Sequence, residues 1–389
     1  MHSALYDLSP ALRLMLIGAL LASGPLLMVY LRTRRSSPLG RAHALALVTL
    51  FLTFDLVLFG AFTRLTDSGL GCPDWPGCYG SASPIGAGDH IDTAQQAMPT
   101  GPVTQGKAWV EMVHRYLAMG VGVLTLVLAG MAWSQRKPHA GSSSISPSWA
   151  ICSAVWVCIQ GGFGALTVTM KLFPAIVTLH LLGGYILLGL LTAQATLLGR
   201  HNNTAPTAAL PASLRIWTAL ALVLLALQAA SGAWVSTNYA VLACTEFPQC
   251  QGSWWPHMDF DQGFEIWRPL GYLKDGSHIS FQALTAIHFT HRLLAFVTLT
   301  LLSVLAWRLF CVPTLRQHGS ALGVLLVMQL ATGLSNVVLD WPLVAAVLHT
   351  GGGGALTVVL VRLLVTTHPT FSQRSAAPSG ATTPSGRRA

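Results

Sequence analysis

Nine apolar runs, each about 20 residues long, constrain the fold of this chain more than any other feature of its sequence. An α-helix rises about 1.5 Å per residue, so about 20 apolar residues cross the hydrocarbon core of a bilayer. The sequence therefore predicts an all-α polytopic membrane protein. The predicted spans are about 12–31, 44–65, 108–133, 149–169, 176–199, 215–237, 284–308, 319–339 and 343–366.

The composition agrees with a membrane protein. Only 9% of the 389 residues are charged and 52% are hydrophobic, whereas soluble domains carry about 25% charged residues. The net charge of +9 comes from basic residues in short loops between the apolar runs, which is typical of topology signals rather than of nucleic-acid binding. The sequence has no Gly-rich phosphate loop or dinucleotide fingerprint, so ATP hydrolysis is not an expected activity.

Basic residues also predict the orientation of the chain. The first apolar run is followed by basic residues rather than preceded by them, which favours an anchor helix with its N-terminus outside over a cleaved signal peptide. By the positive-inside rule the basic loops are cytoplasmic, and the long loops 66–107 and 238–283 face the periplasm. The C-terminal tail is then cytoplasmic. The basic segments are those around Arg32–Arg41, Arg136/Lys137, Arg200/Arg215, Arg308/Arg316 and Arg374/Arg387/Arg388.

Four of the seven cysteines form two pairs with five residues between the partners. These pairs lie in the long polar loops, where an oxidising compartment permits disulfide bonds. The sequence therefore predicts the pairs Cys72–Cys78 and Cys244–Cys250. The other three cysteines lie in or beside apolar segments, where a free Cys mostly acts as a small hydrophobe.

A long internal repeat relates two halves of the chain. Each cysteine of the first pair recurs 172 residues later, while His114 recurs as His291 and His180 recurs as His349. Each half has an even number of spans, so both halves cross the membrane in the same direction as a parallel repeat. The predicted organisation is an extra N-terminal helix with its basic loop (1–43), two similar four-helix halves (44–200 and 201–366) and a disordered cytoplasmic tail (367–389).

Four histidines inside the spans predict metal or haem ligation. Each half has one on its second helix and one on its fourth, and two histidines on separate helices of a bundle suit the iron of a haem. An interhelical hydrogen bond is the simpler alternative for any one of them. Zinc is a weaker alternative, because it prefers three or four ligands. The pairs are His114 with His180 and His291 with His349.

Charged residues beside these histidines suggest further roles. Arg115 and Arg292 each follow a histidine and suit haem propionates, or they pair locally. Glu111 lies three residues before His114, and His288 occupies that position in the second half. This difference suggests that one site carries chemistry and the other carries electrons, with Glu111 transferring protons. The alternative is a Glu111 that pairs with an arginine or faces the loop.

At the level of motifs, the chain resembles the haem A synthase family over roughly residues 44–366. The resemblance is in TRLTDSGLGCPDWPGC (63–78), EMVHR (111–115), GALTVTMKLFPAIVTLHLLGG (164–184) and IHFTHR (287–292). It implies an eight-helix core that oxidises the C8 methyl group of haem O to a formyl group. The first helix departs from the family pattern.

The resemblance also assigns roles to the histidines and names partners. It implies that His291 and His349 ligate a resident haem B, that His114 and His180 hold the substrate haem O, and that Glu111 is the functional acid. The implied partners are haem O synthase and cytochrome oxidase assembly in the bacterial inner membrane, and homo-oligomerisation stays open. The alternatives are a di-haem b-type electron carrier or quinol oxidoreductase, and a haem or quinone transporter.

Overall fold

The computed structural model describes residues 9–136, 147–201 and 210–366. This part of the chain has no β-strand, only isolated bridges, so the predicted all-α class is confirmed. The predicted tail 367–389 lies outside the described residues. The α-helices are α1 (Ser9–Thr33), α2 (Pro38–Leu65), α3 (Gly88–Ala97), α4 (Gln105–Ser134), α5 (Ser148–Thr169), α6 (Pro174–His201), α7 (Ala212–Thr237), α8 (Phe260–Gly263), α9 (Phe281–Phe310), α10 (Arg316–Val338) and α11 (Leu343–Thr366).

Nine of the described helices, all except α3 and α8, are long and apolar enough to cross a membrane. They coincide with the nine apolar runs of the sequence. Three of them begin at a hydroxyl residue whose side chain accepts a backbone N–H of the first turn, which is a favoured helix start. These residues are Ser37 before α2, Thr104 before α4 and Ser280 before α9. The last two caps fix the starts of the helices that carry His114 and His291.

Contacts between the long helices close into two rings of four. In the first half, α2 packs against α4, α4 against α5, α5 against α6, and α6 returns to α2. In the second half, α7, α9, α10 and α11 follow the same order. Each ring therefore surrounds an interior to which its second and fourth helices both contribute.

The two rings meet through α2 and α6 on one side and α7 and α11 on the other. Four consecutive glycines, Gly351–Gly354, let α11 approach α2 and α6 closely. A Cβ on Gly353 would lie 2.8 Å from the Tyr185 hydroxyl, and one on Gly354 would lie 3.3 Å from a methyl carbon of Leu188. The same tyrosine hydroxyl donates a hydrogen bond to the carbonyl oxygen of Thr350 at 2.5 Å.

Two polar contacts join equivalent positions of the repeat. Arg64 donates to the carbonyl oxygen of Ser236 at 2.6 Å, and the Tyr239 hydroxyl donates to Asp67 at 2.6 Å. Each pair is separated by 172 residues, the same interval as the cysteines. Residues related by a twofold rotation touch only where they lie close to its axis. The pseudo-twofold axis therefore passes near the ends of α2 and α7.

Helix α1 packs along α4 and lies outside the two rings. A Cβ on Gly18 would lie 2.6 Å from the Cβ of Met119, so the two backbones are in close contact. Nearer its start, α1 places Leu14 in an apolar cluster with the disulfide Cys72–Cys78. The beginning of α1 and the first long loop thus lie at the same end of the helix bundle.

Candidate functional site

Each of the four predicted ligand histidines packs its ring against a glycine of the preceding span. In three of the four contacts, those of Gly60, Gly232 and Gly333, a side chain in place of glycine would crowd the histidine Cε1 atom and force a shift, whereas the contact of Gly164 is an ordinary van der Waals distance. The distances from the ideal Cβ position to Cε1 are 3.0 Å for Gly60 and His114, 3.4 Å for Gly164 and His180, 2.9 Å for Gly232 and His291, and 3.0 Å for Gly333 and His349.

The structure brings the histidines together in the predicted pairs. His114 interacts electrostatically with His180 inside the first ring, and His291 does so with His349 inside the second. The members of each pair come from the second and fourth helices of their ring. All four side chains are half-buried. Two imidazoles facing one interior are the donor set that a haem iron accepts on its two axial sides.

In the second half, a hydroxyl group contacts Nδ1 of each histidine. The Thr332 hydroxyl donates to the carbonyl oxygen of Met328 at 2.8 Å, so it accepts from the Nδ1 atom of His349 at 3.1 Å. We therefore assign the proton of His349 to Nδ1, which leaves its Nε2 unprotonated and able to bind a metal. The Ser231 hydroxyl lies 2.8 Å from His291 Nδ1, and the side-chain amide nitrogen of Gln228 lies 3.1 Å from the same atom. Since the hydroxyl oxygen accepts and the amide nitrogen donates, these two contacts favour opposite tautomers of His291.

The first half lacks this arrangement. His180 Nδ1 lies 3.1 Å from the side-chain amide nitrogen of Gln160, and an amide N–H can only donate. That contact favours an unprotonated Nδ1 and a proton on Nε2. His114 Nδ1 is buried without a hydrogen-bond partner among the residues that the structure describes. The two halves thus share the positions of their histidines but differ in the groups that orient them.

The two long loops, here called the first Cys loop (residues 66–104) and the second Cys loop (residues 238–280), each contain one disulfide. The sulfur–sulfur distances are 2.07 Å for Cys72–Cys78 and 2.00 Å for Cys244–Cys250. Both pairings lie within a loop, as the spacing of the cysteines predicts. No disulfide joins the two loops in the part of the chain that the structure describes.

Arg115 and Arg292 bind the disulfide segments of these loops. Arg292 donates to the carbonyl oxygens of Cys244, Glu246 and Gln249 at 2.6, 2.8 and 3.2 Å. The contacts of Arg115 are equivalent: it donates to the carbonyl oxygens of Asp74, Pro76 and Gly77. The sequence predicts haem propionates as partners instead. Several carbonyl groups of each loop turn toward the arginine and occupy its donors, so the propionate contact stays a prediction.

Glu111 lies where α4 meets the first Cys loop, and only 4% of its surface is exposed. One carboxylate oxygen accepts the backbone N–H of Cys72 at 2.8 Å, and the other forms an ion pair with Arg115. In the second half, His288 Nε2 instead receives a hydrogen bond from Arg292 Nε at 3.4 Å. The geometry gives Glu111 the arginine partner that the simpler alternative expects, and its catalytic role stays a proposal.

Sequence reasoning did not assign roles to the residues that support the histidines. Glycines 60 and 232, and glycines 164 and 333, do recur at the intervals of the repeat, which is a signal that equivalent positions contact equivalent rings. Ser231 and Thr332 gave no comparable signal, because the first half has no hydroxyl contact to His114 or His180 among the described residues.

Comparisons with known proteins agree with the motifs. The sequence model of a family described as cytochrome oxidase assembly protein matches residues 43–361. A haem A synthase of Shewanella oneidensis is 38% identical over 320 residues, which cover 81% of this chain and 93% of the relative. The haem A synthases of Halalkalibacterium halodurans and Rhizorhabdus wittichii are 27% and 25% identical, over 76% and 85% of this chain and 86% and 95% of their own length.

Proposed function

Because this chain belongs to the haem A synthase family, we propose that it oxidises the C8 methyl group of haem O to a formyl group. In this proposal, His291 and His349 hold a resident haem B, and His114 with His180 hold the substrate haem O. The product is haem A for cytochrome oxidase. The multi-pass helical architecture suits a substrate that is itself apolar and is delivered from the bilayer.

One observation carries the division between the halves. Each histidine of the second half has a hydroxyl group beside Nδ1, and the contact with Thr332 leaves Nε2 of His349 unprotonated, as binding to a metal requires. Hydrogen bonds of this kind to a ligating histidine typically contribute 10–100-fold to metal affinity. The first half holds one ring through an amide donor and leaves the other without an Nδ1 partner among the described residues. A site that releases its product benefits from weaker ligands.

The fit of a haem to each half rests on the glycine contacts. At Gly60, Gly232 and Gly333, any side chain would push the ring of the neighbouring histidine out of place. When bound, haem supplies the redox chemistry of its iron. The chain itself positions the imidazoles, covers one end of each half with a Cys loop and holds a carboxylate near His114.

Glu111 is the residue that we propose manages protons. The change from a methyl to a formyl group removes electrons and protons and adds an oxygen atom, so a proton acceptor close to the substrate is needed. Glu111 shares a helix with His114 and has no carboxylate counterpart in the second half. Its contacts with Arg115 and Cys72 N–H hold the carboxylate in place, as a positioned acid–base group requires.

The proposed setting follows from the charges of the loops. The basic loops would lie in the cytoplasm and the Cys loops in the periplasm of a bacterial inner membrane. Haem O synthase would supply the substrate and cytochrome oxidase assembly would consume the product. The disulfides within both loops support an oxidising compartment on that side.

Extraction of haem from the purified protein tests the proposal. The protein is expressed together with a haem O synthase in a host that makes no haem A of its own. We expect haem B, haem O and haem A in the wild type. His291→Ala and His349→Ala should remove haem B, whereas His114→Ala and His180→Ala should spare most of it and abolish haem A. Equal loss of haem B from all four variants contradicts the division, and a wild type without haem A contradicts the function.

A further inference from the structure

Arg268, in the second Cys loop, is the largest wholly buried side chain in the described part of the protein, with 0% of its surface exposed. Its neighbours Trp267 and Pro269 are exposed, so the loop turns this one residue inward. Trp267 contacts the ring of Phe173 at 4.8 Å between centroids, which places this part of the loop over the turn between α5 and α6. Arg268 therefore lies near both halves of the molecule.

Only part of the Arg268 guanidinium is bound by the protein. Nη2 donates to the side-chain oxygen of Asn238 at 2.6 Å. Nε and Nη1 are buried and have no hydrogen-bond partner among the described residues. Leaving a buried donor unsatisfied costs about 1–3 kcal/mol, and more for a charged group. Arginine remains charged even when burial lowers its pKa, as it does here. The two free donors thus call for an acceptor that the chain does not supply.

The nearest acidic residue does not contact Arg268. Glu265 interacts with Arg268 electrostatically but lies more than 4.0 Å from it. The Oε1 atom of Glu265 is buried without a hydrogen-bond partner among the described residues and lies 3.6 Å from Lys274 Nζ. No ion pair of Arg268 within 4.0 Å is present in the described ranges. By comparison, Arg115 and Arg292 donate hydrogen bonds to loop carbonyl oxygens. Among the described residues, Arg268 is the buried arginine whose guanidinium has N–H groups without a hydrogen-bond partner.

The position of Arg268 relates it to the second-half histidines. Its anchor Asn238 lies seven residues beyond Ser231 on the same side of α7, or about 10 Å along the helix. Between them, the Trp234 ring lies 5.8 Å from the Arg268 guanidinium carbon and its indole N–H binds the carbonyl oxygen of Gly263. Ser231 in turn contacts His291 Nδ1. Arg268 thus lies about two helical turns from the His291 imidazole. At that distance a cation can bind a group at the edge of a haem but not one at its iron.

We propose that a propionate carboxylate of a haem accepts a hydrogen bond from a free N–H group of Arg268, either Nε–H or Nη1–H. These two groups point to different sides of the guanidinium, so the carboxylate meets one of them, and the positive charge strengthens that single contact. This inference rests on the proposed function, because it requires that the chain binds haem. The carboxylate comes either from the resident haem B or from haem O in the first half, and both have the same chemistry.

The test uses the full chain purified from cells that lack haem O, so that it carries only its resident haem. Arg268→Gln removes the charge and Arg268→Lys keeps it. One arm measures the midpoint potential of the resident haem, which should fall when a nearby positive charge is removed. The other arm titrates haem O and its dimethyl ester. If haem O is the partner, Arg268→Gln should weaken binding of the free acid about 10–100-fold and leave binding of the ester unchanged.

Two control variants exclude effects of the loop alone. Lys274→Gln removes an exposed charge from the same loop and should change neither measurement. Glu265→Gln would reproduce the effect of Arg268→Gln only if Arg268 served an ion pair inside the loop, and that result overturns the proposal. A change in midpoint potential or in haem O affinity that only the Arg268 variants show supports the proposal. The measurement that changes identifies which haem provides the carboxylate.

Further outcomes are decisive as well. A folded Arg268→Gln protein with unchanged potential and unchanged haem O affinity overturns the inference. If Arg268→Gln does not fold, Arg268→Met replaces it, because it also removes the charge, and wild-type behaviour of Arg268→Met in both arms then overturns the inference. Arg268→Lys keeps the charge and should leave the midpoint potential close to that of the wild type. A wild-type protein that purifies without haem and binds no haem O contradicts the proposed function instead.

Discussion

The backbone N–H of Cys72 donates a hydrogen bond to a carboxylate oxygen of Glu111 at 2.8 Å. This contact joins the disulfide of the first Cys loop to the helix that carries His114. Arg115 reinforces the junction, because it binds both Glu111 and the carbonyl oxygens of the same loop. The loop and the ligand helix are thus held together by one buried carboxylate, which links the position of the loop to the proposed substrate site.

Glu111→Gln should separate the structural role of this carboxylate from the chemical one. Glutamine keeps an oxygen for the Cys72 N–H but cannot accept a proton. We therefore expect a folded protein that retains haem B, binds haem O and forms haem A about 10²–10⁴-fold more slowly. The measurement is the ratio of haem O, hydroxylated haem and haem A in extracts. His288→Gln, at the equivalent position of the second half, is the matched control. Wild-type levels of haem A in Glu111→Gln would leave the residue a purely structural one.

Ser231→Ala and Thr332→Val should weaken the resident haem. Each removes a hydroxyl partner of Nδ1 in a proposed ligand histidine, and the loss of such a partner typically costs 10–100-fold in metal affinity. Haem B content after dilution or competition with a haem-binding protein measures the effect. Thr332→Ser keeps the hydroxyl and is the control. Unchanged haem retention in both variants would show that the hydroxyl groups of Ser231 and Thr332 do not support haem binding.

Gly333→Ala should disturb the His349 ring, because the added Cβ would lie 3.0 Å from its Cε1 atom. Overpacking of this kind typically costs about 1–3 kcal/mol, which we expect to appear as partial loss of haem B. Gly323→Ala is on the same helix, where an added Cβ meets nothing within 4 Å. Optical spectra of the two purified variants give the comparison, and equal spectra would rule out the glycine contact as a requirement.

The four loop cysteines should react with a thiol reagent only after reduction. Cys152, Cys158 and Cys311 are free in the structure and should be modified without reduction in the denatured protein, which makes them an internal control. Mass spectrometry of peptides identifies the partners. Peptides that link the first Cys loop to the second would contradict the pairing within each loop.

Reporter fusions should place the N-terminus outside and the C-terminus in the cytoplasm. The start of α1 lies beside the first Cys loop, since a Cβ on Gly77 would lie 3.4 Å from Pro10. The start of α1 therefore lies on the same side as that loop, which the basic residues assign to the periplasm. Activity of a periplasmic reporter only at the C-terminus would indicate the opposite topology.

Several features of the fold followed from the sequence because they depend on local chemistry. A bilayer requires apolar helices of about 20 residues, so the nine long helices were recognisable from hydropathy alone. The repeat of His114 as His291 and of His180 as His349 predicted which histidine side chains lie in the same four-helix half. The cysteine spacing predicted two local disulfides.

Other features depended on how the helices rotate and where the loops run, which no local pattern specifies. The same arginine suits a propionate or a loop carbonyl, and only the folded loop directs its carbonyl groups at Arg115 and Arg292. The Nδ1 atoms of His291 and His349 each contact a hydroxyl group from a neighbouring helix. In the sequence, Arg268 is not distinguishable from other loop residues. Its burial results from the way the folded loop packs against α7. The sequence alone thus determined the helices, their repeat and the pairing of the loop cysteines, whereas tertiary contacts determined which donors are occupied and which remain free.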